Sequence, residues 1–379
     1  MEDDICRRGF ALGSAAALGS LAYPAHALAE GRLKDIAAQS GIVFGSAIDY
    51  PDSHIFLNAD VSKIYLEQCA VFATGYQLLW SQNQFSPNVA FDFAKADKVF
   101  DFATANGASV GAHPLIWHQF VPNWVQREVG KEGGRKIIET HVQTLIDRYR
   151  GRTNYWVVVN EPFDWNKRRS DGLIPCAYAD AFGEEYIDIS FAAAQDIDPN
   201  ALLVLNEVGM EHDYPDAARK RQKVISTIKR LKNKNIQIDA IGIQAHLRPN
   251  FPFNRSKFRS FIRDIQRLGL EVIITEMDVE DGSLPGNIDR RDARVGKTMR
   301  DFVNTVVGTQ ACRIVVTWGL LNQHSWLNKP VANMGKWDLR NRRSDNLPHR
   351  PLLYDESLQP TAAWNAIAKA LSGHNVPIR

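Results

Sequence analysis

The sequence predicts an α/β chain closed into a single (β/α)8 barrel, and three observations carry that expectation. From Gly41 onward, apolar runs of strand length alternate with amphipathic stretches of ten or more residues, the signature of a parallel sheet. The runs number eight, enough to close a barrel. No glycine-rich phosphate turn follows the first run, which leads into Asp49-Tyr50-Pro51-Asp52-Ser53-His54, so a doubly wound open sheet is the weaker architecture.

The predicted strands are, in order, Ile42–Ile48, Ala70–Gln77, Ala108–Ile116, Tyr155–Asn160, Leu202–Val208, Ile238–Ala245, Val272–Thr275 and Arg313–Gly319. Each is rich in β-branched, aliphatic or aromatic residues, as a strand buried on both faces requires. The intervening helical stretches are Phe91–Asn106, Gly134–Arg150, Ala181–Asp196, Ala217–Lys232, Arg255–Leu268, Arg290–Val307 and Pro360–Leu371. Gly107, Gly151 and Gly269 supply stop signals, and Asp198-Pro199 closes a fourth.

With 379 residues, 45% hydrophobic and 23% charged, the chain can bury a large core. A net charge of +2 gives no electrostatic reason to expect nucleic acid or an anionic membrane as partner. Residues 1–29 read as a twin-arginine-like export signal. Arg7-Arg8 precedes the weakly apolar run Ala11–Ala22, which is too short for a permanent anchor, and Ala25-His26-Ala27 or Ala27-Leu28-Ala29 offers a cleavage site. Residues 30–379 then form the barrel of an exported, periplasmic or secreted protein, expected to be a monomer. Cys6 departs with the signal, and Cys69, Cys176 and Cys312 make neither a disulfide framework nor a metal cluster.

In a barrel of this kind the site lies on the rim formed by the strand C-termini. Those ends carry His113 and Trp117, then Asn160-Glu161, Asn206-Glu207, Gln244 with His246, Glu276 with Asp278, and Trp318 followed by Trp326. No lysine and no run of phosphate-binding glycines appears among them. His113, His118 and His246 lack HxH or HExxH spacing, so neither a metal nor any other cofactor is expected. Indoles stack on the apolar faces of sugars, and amides and imidazoles hydrogen-bond hydroxyls. The chemistry points to a carbohydrate.

Two acids at such ends suit cleavage of a glycosidic bond, with Glu161 donating a proton to the leaving oxygen and Glu276 attacking the anomeric carbon. His246, held by Asp278, is expected to keep Glu276 charged, and Asn160 to hold the sugar 2-hydroxyl. Glu207 is read as orienting its neighbours. A barrel isomerase or aldolase would want a strand-end lysine or metal ligands. A carbohydrate-binding protein without turnover would not need both acids.

The motifs HPLIWHQFVPNWV, WVVVNEPF, VIITEMDV and VVTWGLLNQHSW, in this order, resemble those of the family 10 glycoside hydrolases, the retaining endo-β-1,4-xylanases. The resemblance spans roughly residues 42–370. It implies Glu161 as acid/base and Glu276 as nucleophile, with Asn160, His113, Trp117, Gln244, His246, Trp318 and Trp326 around the sugar being cut. The flanks depart from the family pattern. Gly75-Tyr76-Gln77-Leu78-Leu79-Trp80 stands where Glu-Asn-x-Met-Lys-Trp is usual, which leaves Tyr76 and Trp80 as the substrate contacts expected there. Val208-Gly209 and Phe120 also replace polar or aromatic family residues. The expected activity is hydrolysis of xylan or a xylan-like polymer, with a branched bacterial exopolysaccharide as the alternative substrate.

Overall fold

Strands buried on both faces need apolar side chains in both directions, and the predicted runs meet that demand. The computed structural model describes residues 31–48, 53–164, 169–329 and 342–374. The export signal expected over residues 1–29 lies outside them.

The strands are β1 (Val43–Ile48), β2 (Val71–Thr74), β3 (Ser109–Ala112), β4 (Ile116–Trp117), β5 (Thr153–Asn160), β6 (Leu203–Glu207), β7 (Ala240–Ile243), β8 (His246–Leu247), β9 (Glu271–Val279) and β10 (Cys312–Thr317). Neighbours run β1, β2, β3, β5, β6, β7, β9, β10, and β10 pairs back onto β1. Every strand pair is parallel, so the sheet is a closed eight-stranded barrel. The short β4 and β8 are rim extensions beside β5 and β9.

Side chains alternate between two apolar cores. Val71, Ala73, Tyr155, Val157, Val204, Ala240, Ile273, Ile314 and Val316 belong to a small cluster, the filling of the barrel. Phe72, Trp156, Val158, Leu203, Leu205, Ile241, Ile243, Val272, Ile274 and Val315 join the larger cluster with the surrounding helices.

Several elements differ from the sequence expectation. The third predicted strand breaks after Ala112, where His113 exchanges two hydrogen bonds with Thr74: His113 N donates to Thr74 Oγ1 at 2.8 Å, and that hydroxyl donates to His113 O at 2.9 Å. The sixth breaks at Gln244-Ala245, with Ala245 at φ 62. The helix expected from Ala181 begins at Glu185, because Gly183 at φ 54 ends a separate short helix, Ala177–Phe182.

The helices that were not foreseen include Leu33–Gln39 and Ala59–Gln68. Gln68 Oε1 accepts from Leu33 N at 3.0 Å and from Trp364 Nε1 at 3.1 Å. One amide thereby ties the first helix to the last, Ala362–Ser372. Cys69, Cys176 and Cys312 form no disulfide among the described residues. No helix among the described residues is long and apolar enough to cross a membrane.

Candidate active site

Parallel register places the strand ends on one rim. Trp117 is aligned with Asn160, Asn160 with Asn206, and His246 with Asp278. Glu161 follows β5 at φ 49, a left-handed conformation costing about 1–2 kcal/mol for a residue with a side chain. Its N–H donates to Asn206 O at 2.9 Å, which anchors the turn. The carboxylate accepts from Trp117 Nε1 at 3.1 Å on one oxygen and from Gln244 Nε2 at 2.9 Å on the other.

Glu276 is buried, at 4% exposure, and more heavily surrounded. Its Oε1 accepts from Asn206 Nδ2 at 2.6 Å and lies 3.3 Å from His113 Nε2. Its Oε2 lies 3.5 Å from His246 Nε2. Burial is the largest single influence on this carboxyl and raises its pKa. The charges and hydrogen bonds of His113 and His246 together outweigh it and hold Glu276 down at about 2.

Behind it, His246 Nδ1 lies 2.8 Å from Asp278 Oδ1, and Trp326 Nε1 donates to Asp278 Oδ2 at 2.7 Å. Burial works against the His246 charge, yet Asp278 and Glu276 raise its pKa well above the ordinary imidazole value. His246 therefore stands between Asp278 and Glu276.

Sequence reasoning put Asn206 on the rim without a role, yet this residue joins the two halves. Asn206 Nδ2 donates to Asn160 Oδ1 at 2.9 Å as well as to Glu276 Oε1, and Asn206 Oδ1 accepts from Thr275 Oγ1 at 2.7 Å. Gln244 Nε2 lies 3.3 Å from the same Asn160 oxygen, so one amide network runs from Glu161 to Glu276. The repeated Asn-Glu at the ends of β5 and β6 was the available signal. Gly242 makes the space: a Cβ there would stand 2.3 Å from Asn206 Oδ1 and 3.0 Å from the Thr275 methyl. Glu207 is fully buried and accepts from Lys220 Nζ at 2.5 Å and from Phe163 N at 3.1 Å. It braces the segment after Glu161.

Trp318 meets His113 edge-on, with ring centroids 5.3 Å apart, and also covers Gly75. Phe120 stands 48% exposed beside Trp117, ring centroids 5.4 Å apart, at φ 53. Tyr76 is half-buried outside the amide network, with Lys95 Nζ 5.0 Å from its ring centroid. Trp80 is a correction. It was expected to contact substrate, but it is 4% exposed, stacks on His141 at 3.7 Å and meets Trp124 edge-on. Its ring is packing, with no face left for a sugar. Among the described residues, no group of three His, Cys, Asp or Glu side chains is placed to hold a metal ion.

A parallel barrel whose rim holds two carboxylates in contrasting settings, among indoles and amides, defines a glycoside hydrolase. The chain belongs to glycosyl hydrolase family 10, whose family model matches residues 32–370. It is 31% identical to a beta-1,4-xylanase of Dictyoglomus thermophilum over 77% of this chain and 79% of that one. It is 27% identical to endo-1,4-beta-xylanase B of Thermotoga neapolitana over 95% of each. The crystal structure of xylanase 10B from Thermotoga maritima superposes with a TM-score of 0.75 at 25% identity, covering 90% of this chain and 98% of that one.

Proposed function

We propose that this protein is a retaining endo-1,4-β-xylanase that hydrolyses xylan or a xylan-like polysaccharide by double displacement. The observation that carries the reading is the asymmetry of the two carboxylates. Glu276 is buried, gripped by Asn206, His113 and His246 and held ionised at about 2. Glu161 takes one donor on each oxygen, from Trp117 and Gln244. A nucleophile must be charged and fixed, whereas an acid/base must exchange a proton twice in each turnover.

In the first step Glu276 attacks the anomeric carbon while Glu161 gives its proton to the departing glycosidic oxygen, leaving a glycosyl ester on Glu276. In the second, water attacks that carbon, its proton passes to Glu161, and the Glu276 carboxylate is released. Asn160 spends its Oδ1 on Asn206 and Gln244, and its Nδ2 has no acceptor among the described residues, which leaves it for the sugar 2-hydroxyl. His113, Trp117, Gln244, Trp318 and Trp326 line the sugar, and Tyr76 contributes outside the network. Xylanase relatives support the substrate. One solved relative, xylanase 10B from Thermotoga petrophila, is in complex with xylobiose and 25% identical. Residues 1–29 direct export, and residues 30–379 act as one catalytic monomer.

A branched β-glycan is the second reading, favoured by exposed Phe120 and by Gly75 in place of a polar grip. The test incubates the mature protein with xylan, mixed-linkage glucan, mannan and branched exopolysaccharides, with NMR following the first anomer released. Xylan cleavage with an initial β product is expected. Failure to cleave any β-linked polymer overturns the enzyme reading, and an initial α product overturns retention. As a check on roles, Glu161→Ala should lose far more activity on xylan than on an aryl xylobioside whose leaving group needs no proton.

A further inference from the structure

The rim continues past the His246–Asp278 pair into a basic depression that the proposed chemistry does not use. Along β8 and β9, His246 is aligned with Asp278 and Leu247 with Val279. Next, Arg248 Nη2 donates to Glu280 Oε1 at 2.9 Å. Residues two apart on a strand share a face and lie about 7 Å apart, so Arg248 and Glu280 extend the wall that His246 and Asp278 begin. The Arg248 guanidinium also covers the Phe251 ring, 5.0 Å from its centroid.

Two depressions, of about 300 and 210 Å³, share Arg248 and Phe251 as lining. The larger adds Asn250, Ser283 and Arg342, and the smaller adds Glu211, Arg294 and Lys297. An aromatic face, an amide and a hydroxyl suit a sugar. The charge suits an acidic one. Together the two linings hold five cationic side chains (Arg248, Arg255, Arg294, Lys297, Arg342) against three carboxylates (Glu211, Glu280, Asp301).

Among the described residues, neither Arg294 nor Arg342 has a carboxylate partner, and Arg294 reaches only Pro249 O, at 3.4 Å. Glu211 Oε2 is buried with no hydrogen-bond partner among the described residues. Burial, its largest influence, raises this carboxyl to about 7, so at neutral pH it offsets the positive field less than an ordinary glutamate would. A neutral xylose would leave this surplus of guanidinium unanswered. A carboxylate answers it with charge-assisted hydrogen bonds.

We infer that this depression is a subsite for a carboxylate-bearing sugar of the substrate, a uronic acid residue, with Phe251 against its ring and Arg342 on its carboxylate. The inference rests on the β-glycanase reading of the same rim and names the substrate class within it. Arg294, beyond Phe251, supplies field that draws the acidic chain in, whereas Lys297 is paired with Asp301.

The experiment compares glucuronic-acid-branched xylan, the same polymer after reduction of its carboxyl groups, and unbranched xylo-oligosaccharides. These are offered to the wild type, Arg342→Ala and Arg294→Ala; both arginines are exposed, so neither change threatens folding. For the wild type, KM on the acidic polymer should be about tenfold below that on the reduced one, the worth of one charge-assisted contact. Arg342→Ala should raise KM on the acidic polymer alone and leave turnover of unbranched oligosaccharides unchanged. Added salt should erase the same preference.

Equal KM on acidic and reduced polymers in the wild type, or an equal effect of Arg342→Ala on both, overturns the subsite. If no polymer is cleaved, the glycanase reading fails separately. The retardation of Glu276→Gln protein by the acidic and reduced polymers in affinity gels then decides the subsite alone. Preference for the acidic polymer upholds it, and equal retardation overturns it.

Discussion

Asn206 Nδ2 donates to Glu276 Oε1 at 2.6 Å while holding Asn160 at 2.9 Å, so one amide sets the spacing between the two acid-bearing strands. Asn206→Ala removes a donor from a buried carboxylate and frees Asn160 to rotate. The expected outcome is a fall of about a hundredfold in kcat/KM on xylo-oligosaccharides, the usual effect of losing one preorganised donor. Steady-state kinetics check this, and an unchanged kcat/KM would refute it.

The pH dependence of stability follows from the same cluster. Glu276 sits at about 2 in the folded chain against 4.5 for an ordinary glutamate. Its folded pKa is the lower one, so its stabilisation is present above pH 4.5 and is lost as pH falls toward about 2. His246 runs the other way. Its folded pKa lies well above 6.5, so its contribution is complete below pH 6.5 and is lost as pH rises through the raised value. Melting curves across pH should show the gap between wild type and Glu276→Gln narrowing on acidification below 4.5. For His246→Gln the gap should narrow on the alkaline side instead.

Trp80 is packing, and its replacement should behave accordingly. Trp80→Ala is expected to cost about 3–5 kcal/mol of stability, as large-to-small changes of buried aromatics do. KM measured below the lowered melting temperature should stay at the wild-type value. A raised KM without a lower Tm would restore Trp80 to the substrate.

Phe120 combines a left-handed backbone with a half-exposed ring. Phe120→Gly relieves about 1–2 kcal/mol of backbone strain, and glycine's extra unfolded-state freedom takes back about 0.5–1 kcal/mol. Tm should therefore hold or rise slightly, while KM for long xylo-oligosaccharides rises as the aromatic surface beside Trp117 is lost. Thermal melts and kinetics on one preparation separate the two effects.

The barrel was legible because strands buried on both faces leave continuous apolar runs, and all eight register as such. Helices Leu33–Gln39 and Ala59–Gln68 escaped notice because they are short and expose much of their surface. Glu161 and Glu276 could be singled out because each ends an apolar run with an acid, which has few structural uses. Asn206 could not be ranked, because its importance comes from neighbours on β5 and β9 that only register brings within reach. Trp80 misled because a motif position gives a residue's identity without its direction, and the ring turns toward His141.

Gly242 has a consequence for transplanting this chemistry. The amide bridge between the acids occupies the place where any other residue at that position would carry its Cβ. A designer who copied Asn160, Glu161, Asn206, Gln244 and Glu276 onto another barrel would reproduce every polar atom and still fail if the strand beside Asn206 carried so much as an alanine. Part of what must be inherited is an empty volume the size of one methyl group, written in the sequence only as a glycine in the middle of a strand.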